Sequence, residues 1–240
     1  MRSMTFGRAA FAVTAASAVA LTWFMAVPSR AAEEPFIIPA PKADAPASSG
    51  LKTAVIAGGC FWGVQGVYQH TNGVVQAVSG YAGGKETTAN YDAVSSGSTG
   101  HAEAVKITYD PQKISYGKIL QIYFSVVHDP TQLNRQGPDT GTQYRSTIFA
   151  ASPEEKTIAQ DYIAQLNSAK VYKKPIATTI EPLQAFYPAE NYHQDYLTLH
   201  PRQPYIVFND LPKIENLKKV FAENYRDKPA LVRDAKATAK

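Results

Sequence analysis

Residues 53–57 (TAVIA) form a short apolar run that ends in Gly58-Gly59, and helical periodicity starts at once, from Phe61 to about His70. A strand joined to a helix through two glycines sets an alternation that the rest of the chain continues. Residues 74–81 read as a strand, followed by a polar, glycine-containing loop to Gly100, and residues 103–109 alternate as a strand that Asp110-Pro111 stops. Ser115 can cap the next helix, in which Ile119, Ile122, Tyr123 and Val126 fall at i, i+3, i+4 and i+7. Residues 129–143 read as a long polar loop and 144–150 as another strand. Ser152-Pro153-Glu154-Glu155 opens a helix to about Ala169, and residues 174–181 read as a further strand. Leu211, Ile214, Leu217 and Phe221 then make one side of an amphipathic helix. Strands and helices interleave without internal repeats, so a single α/β domain at residues 51–227 is expected.

The ends read differently. Arg2 and Arg8 precede an apolar run at residues 9–27, and Ser29, Ala31 and Ala32 offer a small-residue cleavage site. Residues 1–32 therefore read as a secretory signal peptide; Arg30 beside that site keeps an uncleaved membrane anchor as the alternative. Either reading exports the folded part, to the periplasm or to a membrane facing it. Residues 33–50, rich in Pro, Ala and Ser, read as a linker, and residues 228–240 as a charged, frayed tail. Without the first 32 residues, Lys+Arg falls from 24 to 21 against 20 Asp+Glu, and net charge from +4 to +1. No basic stripe with interleaved aromatics remains, which argues against nucleic acid as a partner.

Exported proteins of this size commonly carry paired cysteines, yet these 240 residues hold one, Cys60. An isolated thiol in an oxidising compartment is open to oxidation, so its placement needs a reason. Cys60 follows the two glycines at the first turn of the expected helix, where unpaired N–H groups and the dipole favour a thiolate. The glycines permit sharp backbone angles and close approach of a substrate. Phe61 and Trp62 cannot both face the core of one helix start, and so suggest an apolar pocket beside the sulfur.

Residues 103–109 place Glu103, Val105, Ile107 and Tyr109 on one face. The Val/Ile face is the buried one, so Glu103 points inward, where desolvation raises its pKa and keeps it a protonated acid. A thiolate with a proton donor suits a reaction in which sulfur attacks and an oxygen leaves with a proton. The competing readings are a Cys–His hydrolase, with a base drawn from His101, His128, His193 or His200, and a non-catalytic module that recognises peptides through its aromatics.

GCFWG at 59–63, SGYAGG at 79–84, GHAEAV at 100–105, HDPTQLNRQGPDTGTQYRS at 128–146 and YHQDYL at 192–197 together resemble the peptide methionine sulfoxide reductase A family, in order, from about Thr53 to Tyr205. The resemblance implies a two-layer α/β sandwich with a mixed sheet and a ferredoxin-like plait. It implies reduction of the S epimer of methionine sulfoxide, in oxidised proteins or free, by Cys60 attack and a sulfenic acid, with Glu103 as proton donor. Phe61 and Trp62 would cage the S-methyl group. Tyr81, Tyr144 and Tyr196 match tyrosines that donate hydrogen bonds at the oxygen, Asp139 matches an aspartate near the site, and Asn134, Arg135, Gln136 and His193 would support them. No metal or bound cofactor is expected, and a monomer is. Many members carry resolving cysteines in a glycine-rich tail; here the sulfenic acid would need an external thiol, glutathione-type or thioredoxin-like.

Overall fold

The computed structural model describes residues 35–234. The expected signal segment lies outside them. Along the described chain run β1 (Lys52–Ala57), α1 (Phe61–Gln69), β2 (Val74–Ala82), α2 (Tyr91–Ser95), β3 (Ala102–Tyr109), α3 (Tyr116–Ile122), β4 (Arg135–Gln136), β5 (Asp139–Thr140), β6 (Thr147–Ala150), α4 (Pro153–Ser168), β7 (Thr179–Pro182), β8 (Phe186–Pro188), α5 (Tyr196–Leu199) and α6 (Leu211–Val220). Six strands form one mixed sheet in the order β7-β6-β1-β3-β2-β8, with only β6 and β7 parallel, while β4 and β5 make a separate hairpin.

Period-two alternation sorts the side chains between the two faces. In β1, Ala54 and Ile56 join the large core and Val55 and Ala57 the small one. The large core is the helical face, filled by Val64, Val67 and Tyr68 of α1, Ile119 and Leu120 of α3, Tyr162 and Leu166 of α4, and Leu217 of α6. The opposite face is lined by small residues, Ala82, Ala102 and Ala104, with Phe149, and is covered by Leu183 and Phe186. Expected caps hold: Ser115 accepts from the Lys118 N–H at 3.1 Å and Ser152 from the Glu155 N–H at 3.1 Å. From Tyr123 to Val127 the chain continues α3 as a π-helical turn. It carries Tyr123, whose hydroxyl donates to the Ala57 carbonyl at 2.7 Å and ties this turn to the end of β1.

Tertiary contacts override several sequence expectations. Residues 144–146 are not strand: Tyr144 closes a 3-10 turn over Thr142–Tyr144, and β6 begins at Thr147. Residues 174–178 are held instead by side chain and loop, with the Ile176 N–H on Asn167 and the Ala177 N–H on the Pro130 carbonyl. β8, too short and proline-bearing to stand out, pairs with Gly80–Ala82 of β2. The polar stretch at 129–143 contains the β4–β5 hairpin. The amphipathic helix stops at Val220 and gives way to a 3-10 turn at Ala222–Asn224.

Neither end hangs free where it is described. Residues 35–50 have no regular structure, yet Ile38 is buried and the segment lies as a strap across α3 and α4. Gln121 donates to the Ile38 carbonyl, Tyr162 to that of Pro39 and Gln165 to that of Ala40, while Asp44 accepts from the Gly117 N–H. At the other end Leu231 and Val232 are buried, and Asp195 accepts from the Val232 and Arg233 N–H groups. The start of the expected frayed tail is therefore docked.

Candidate active site

The junction between β1 and α1 builds the site. Gly59 has φ +85°, and a Cβ there would lie 2.6 Å from Cγ of Gln136, so only glycine fits both the turn and the neighbour. Cys60 is the N-cap of α1 and is 9% exposed. Burial dominates its titration and pushes the thiol well above its usual range, with the carboxyls of Glu103, Asp210 and Asp139 adding to it; a hydrogen bond from the Trp62 N–H works the other way. The helix start alone does not win, and the resting sulfur is a thiol.

Glu103 faces the helical side of β3, opposite Tyr81 of β2, and is 3% exposed. Its Oε2 accepts from the Phe61 N–H at 3.0 Å. Burial raises its pKa to about 8 against that hydrogen bond, with Asp139 and Asp210 adding to the rise. At neutral pH the carboxyl is a protonated acid held on the first turn of the helix that Cys60 caps, facing inward as its place on the strand implies.

The aromatic wall is pinned from several sides. Phe61 is fully buried against Tyr81 and His193, with ring centroids 5.9 and 5.1 Å apart. Trp62 stacks on Tyr196 at 3.8 Å and 9°, and its Nε1–H donates to Nδ1 of His193 at 3.2 Å. Tyr205 meets Trp62 edge-on at 5.9 Å and donates its hydroxyl to Asp139.

The tyrosines sort differently from the sequence expectation. Tyr144 stands at the site: burial raises its pKa first, then the charges of Glu103, Asp139 and Cys60. Tyr81 does not, because its hydroxyl donates to Oε2 of Glu190 at 2.8 Å. Tyr196 contributes its ring face beneath Trp62. Tyr91 was missed. Burial and then Glu103 raise its pKa, a hydrogen bond with the Ser95 side chain opposes them, and Cys60 and Asp139 add smaller rises; its N–H is held by Oε1 of Glu190 at 2.9 Å. A signal existed: Asn90 caps α2 by accepting from the Ala93 N–H, inside what reads as a polar loop. Tyr205 and the buried Asp210–Lys213 pair, 3.1 Å apart, were missed as well. Asp210 abuts the first turn of α1 so closely that a Cβ at Gly63 would lie 2.1 Å from Oδ1. The hairpin residues brace their own loop. Gln136 bonds both backbone groups of Asp129, Arg135 donates to the Gly137 carbonyl, and Asn134, at φ 51°, accepts from the Gly141 N–H.

None of the five histidines serves the thiol as a base. His70 donates to the Arg226 carbonyl, and His101 is fixed between the Gly84 N–H and the Lys85 carbonyl. His128 sits between the Tyr123 carbonyl and the Ser146 hydroxyl, and burial holds its pKa down to about 3. His193 accepts from Trp62, and His200 packs on Tyr196 at the exposed surface. The Cys–His hydrolase reading loses its base.

A single thiol, a neutral carboxylic acid and an aromatic wall, without a histidine base, define a thiol-dependent oxidoreductase site. Residues 52–225 match the family model described as peptide methionine sulfoxide reductase. The chain is 63% identical over 192 residues to peptide methionine sulfoxide reductase MsrA 2 of Mesorhizobium japonicum, covering 80% of this chain and 98% of that one. It is 50% identical to the MsrA 2 of Synechocystis, covering 80% and 90%. Among solved structures it resembles reduced Mxr1 of Saccharomyces cerevisiae (TM-score 0.58, 35% identity, 68% of this chain and 95% of that one). The methionine sulfoxide reductase A of Corynebacterium diphtheriae is similar too (TM-score 0.55, 33%, covering 72% and 88%). The chain belongs to the peptide methionine sulfoxide reductase A family.

Proposed function

We propose that this protein reduces the S epimer of methionine sulfoxide, in oxidised proteins or free, to methionine, and so repairs oxidative damage. The observation that carries the proposal is the Cys60 thiol at one helix turn with the protonated Glu103, under the wall of Phe61 and Trp62. The substrate's S-methyl group packs against that wall, and its oxygen faces Glu103 with the hydroxyls of Tyr91 and Tyr144. Glu103 gives its proton to the sulfoxide oxygen, which makes the sulfur electrophilic. Cys60 attacks that sulfur as its own proton passes to the emptied carboxylate, so the thiolate exists only as the bond forms. The hydroxyl then passes from the substrate sulfur to Sγ of Cys60 as the new sulfur–sulfur bond breaks, so methionine leaves, Cys60 is left as a sulfenic acid, and no net proton is consumed.

With a single cysteine in these 240 residues, an external thiol closes the cycle. Residues 1–32 support export to the periplasm, cleaved or anchored, and N-terminal sequencing of the exported protein tests it. We read the protein as a monomer and the fold as a ferredoxin-like plait; for the latter, the inner strand order β6-β1-β3-β2 with α1 and α3 crossing one face is the support. Incubation with the separated R and S sulfoxide epimers and no reductant tests the function. One methionine per protein from the S epimer alone, lost in Cys60→Ser, is expected. Turnover of neither epimer, or turnover in Cys60→Ser, refutes it.

A further inference from the structure

A second depression reaches the sulfur from another direction. Cys60 forms part of its floor, and its walls come from three elements: Phe36 of the strap, Val126 in the π-helical turn, and Gln136 with Pro138 at the hairpin. Asn209 closes its far rim. The enclosed space is only ≈ 30 Å³, room for about one or two waters, so it admits the –SH end of a thiol whose body lies in the open mouth. Phe61, Trp62, Glu103, Tyr91 and Tyr144 are absent from its lining. The hydrogen-bonded pair Tyr205 and Asp139 lines it too, and with Tyr205 set edge-on to Trp62 this pair is the partition between groove and cage.

The chemistry of regeneration requires such an approach. After methionine leaves, the sulfenic oxygen lies on the cage side, where Glu103 and the two tyrosines met it. Displacement at a divalent sulfur needs the attacking atom nearly opposite the leaving one, so a thiol that expels that oxygen must come from the side away from the cage. We infer that this groove is the binding site of the regenerating thiol, a low-molecular-weight thiol of glutathione type; the inference rests on the reductase reading above. The incoming thiol sulfur bonds to Sγ of Cys60 as the S–O bond breaks. The departing hydroxide takes the proton of Glu103 and leaves as water; the thiol's own proton passes to solvent at the groove mouth, and Glu103 regains one from solvent. A second thiol then attacks the outer sulfur of the mixed disulfide, giving the oxidised small disulfide and the Cys60 thiol. Cys60 is 9% exposed in a cleft walled by three elements, which favours a slender thiol over a protein surface. Phe36 lies outside residues 52–225, which match the family model, so one wall of this approach comes from the strap rather than from the matched residues.

Two rates in the full chain separate this inference from the reductase reading. The methionine burst from the S sulfoxide without reductant measures the first half-reaction; loss of the sulfenic acid on adding glutathione, followed with a sulfenate probe, measures the second. Pro138→Trp places bulk at the groove mouth on an exposed hairpin turn, and Phe36→Trp does so from the strap. In each, the second rate is expected to fall at least ~10-fold relative to the first, with a burst of one methionine per protein retained. If both rates fall together or the second is unchanged in the folded variants, the groove is not the thiol's path. If the unaltered protein gives no burst, the reductase reading itself fails. Should Pro138→Trp not fold, Phe36→Trp decides.

Discussion

The two sides of the Cys60 sulfur are built to different standards. On the cage side each group is held by a definite partner: Trp62 between Tyr196 and His193, Tyr91 through its N–H on Glu190, Glu103 on the Phe61 N–H. On the groove side the walls are an irregular strap, a π-helical turn and a two-strand hairpin. The difference follows from what each side must do. The cage has to hold a methyl and an oxygen apart in one orientation, which needs preorganised partners. The groove has only to admit a thiol along one line. Substitutions on the cage side should therefore change the first half-reaction, except at Glu103, whose proton serves both, and those on the groove side the second.

The largest effect is expected in Glu103→Gln. The amide keeps the shape and removes the proton, so the methionine burst should slow by ~100-fold or more, the loss typical of a missing general acid. The pH profile carries the sign. Glu103 must be protonated to act, and its pKa is raised to about 8, so the burst rate should hold at neutral pH and fall as pH rises through about 8. Stability follows the same group. The native state holds this proton between the ordinary carboxyl value of 4.5 and about 8 while the unfolded chain releases it, so the group's contribution to stability is complete below 4.5 and lost as pH climbs through that window. Urea unfolding at several pH values should show that decline in the unaltered protein and a flatter dependence in Glu103→Gln. A burst rate near normal in the variant would remove Glu103 from the mechanism.

Next in size is Trp62→Ala, which deletes the stacked face over Tyr196. Its expected cost is ~10- to 50-fold in kcat/KM, the equivalent of ~1.5–2.5 kcal/mol of lost apolar contact with the methyl group. Regeneration by glutathione should keep its rate. Smaller again is the contrast between two tyrosines. Tyr91→Phe removes a hydroxyl from the site and should slow the burst by ~10-fold, since Tyr144 remains as a donor. Tyr81→Phe, whose hydroxyl is spent on Glu190, should change it less than ~3-fold. Equal losses in the two variants would mean that the hydrogen-bond assignments do not govern the chemistry.

Much of the cage side could be read from residues in order. Strand alternation placed Glu103 inward, and the strand–glycine–helix junction placed Cys60, because both are local consequences of period and turn chemistry. What escaped depends on distant partners. Tyr81 sits in a motif that resembles the family's, but its direction is set by Glu190, more than a hundred residues away. Tyr91 lies on a five-residue helix whose signal is a single cap. The strap illustrates the same limit more strongly. A Pro/Ala/Ser-rich stretch has no period, so nothing local reveals that Ile38 finds a buried place or that Gln121, Tyr162 and Gln165 await its carbonyls.

The strap also supplies the mildest test for the chemistry, Ile38→Ala. Ile38 is 4% exposed within the main core, two residues from the groove wall at Phe36. Truncation leaves a cavity and should cost ~2–4 kcal/mol of stability by urea unfolding. The cage touches none of these residues, so the burst rate should stay within ~2-fold of the unaltered protein. The strap's backbone bonds to α3 and α4 remain, which keeps Phe36 near its place, so regeneration by glutathione should change only modestly, in whichever direction a looser wall moves the groove. If instead the burst fell with the loss of stability, the cage would depend on the strap after all. The two sides of the sulfur would then be a single cooperative unit rather than a rigid site beside a permissive channel.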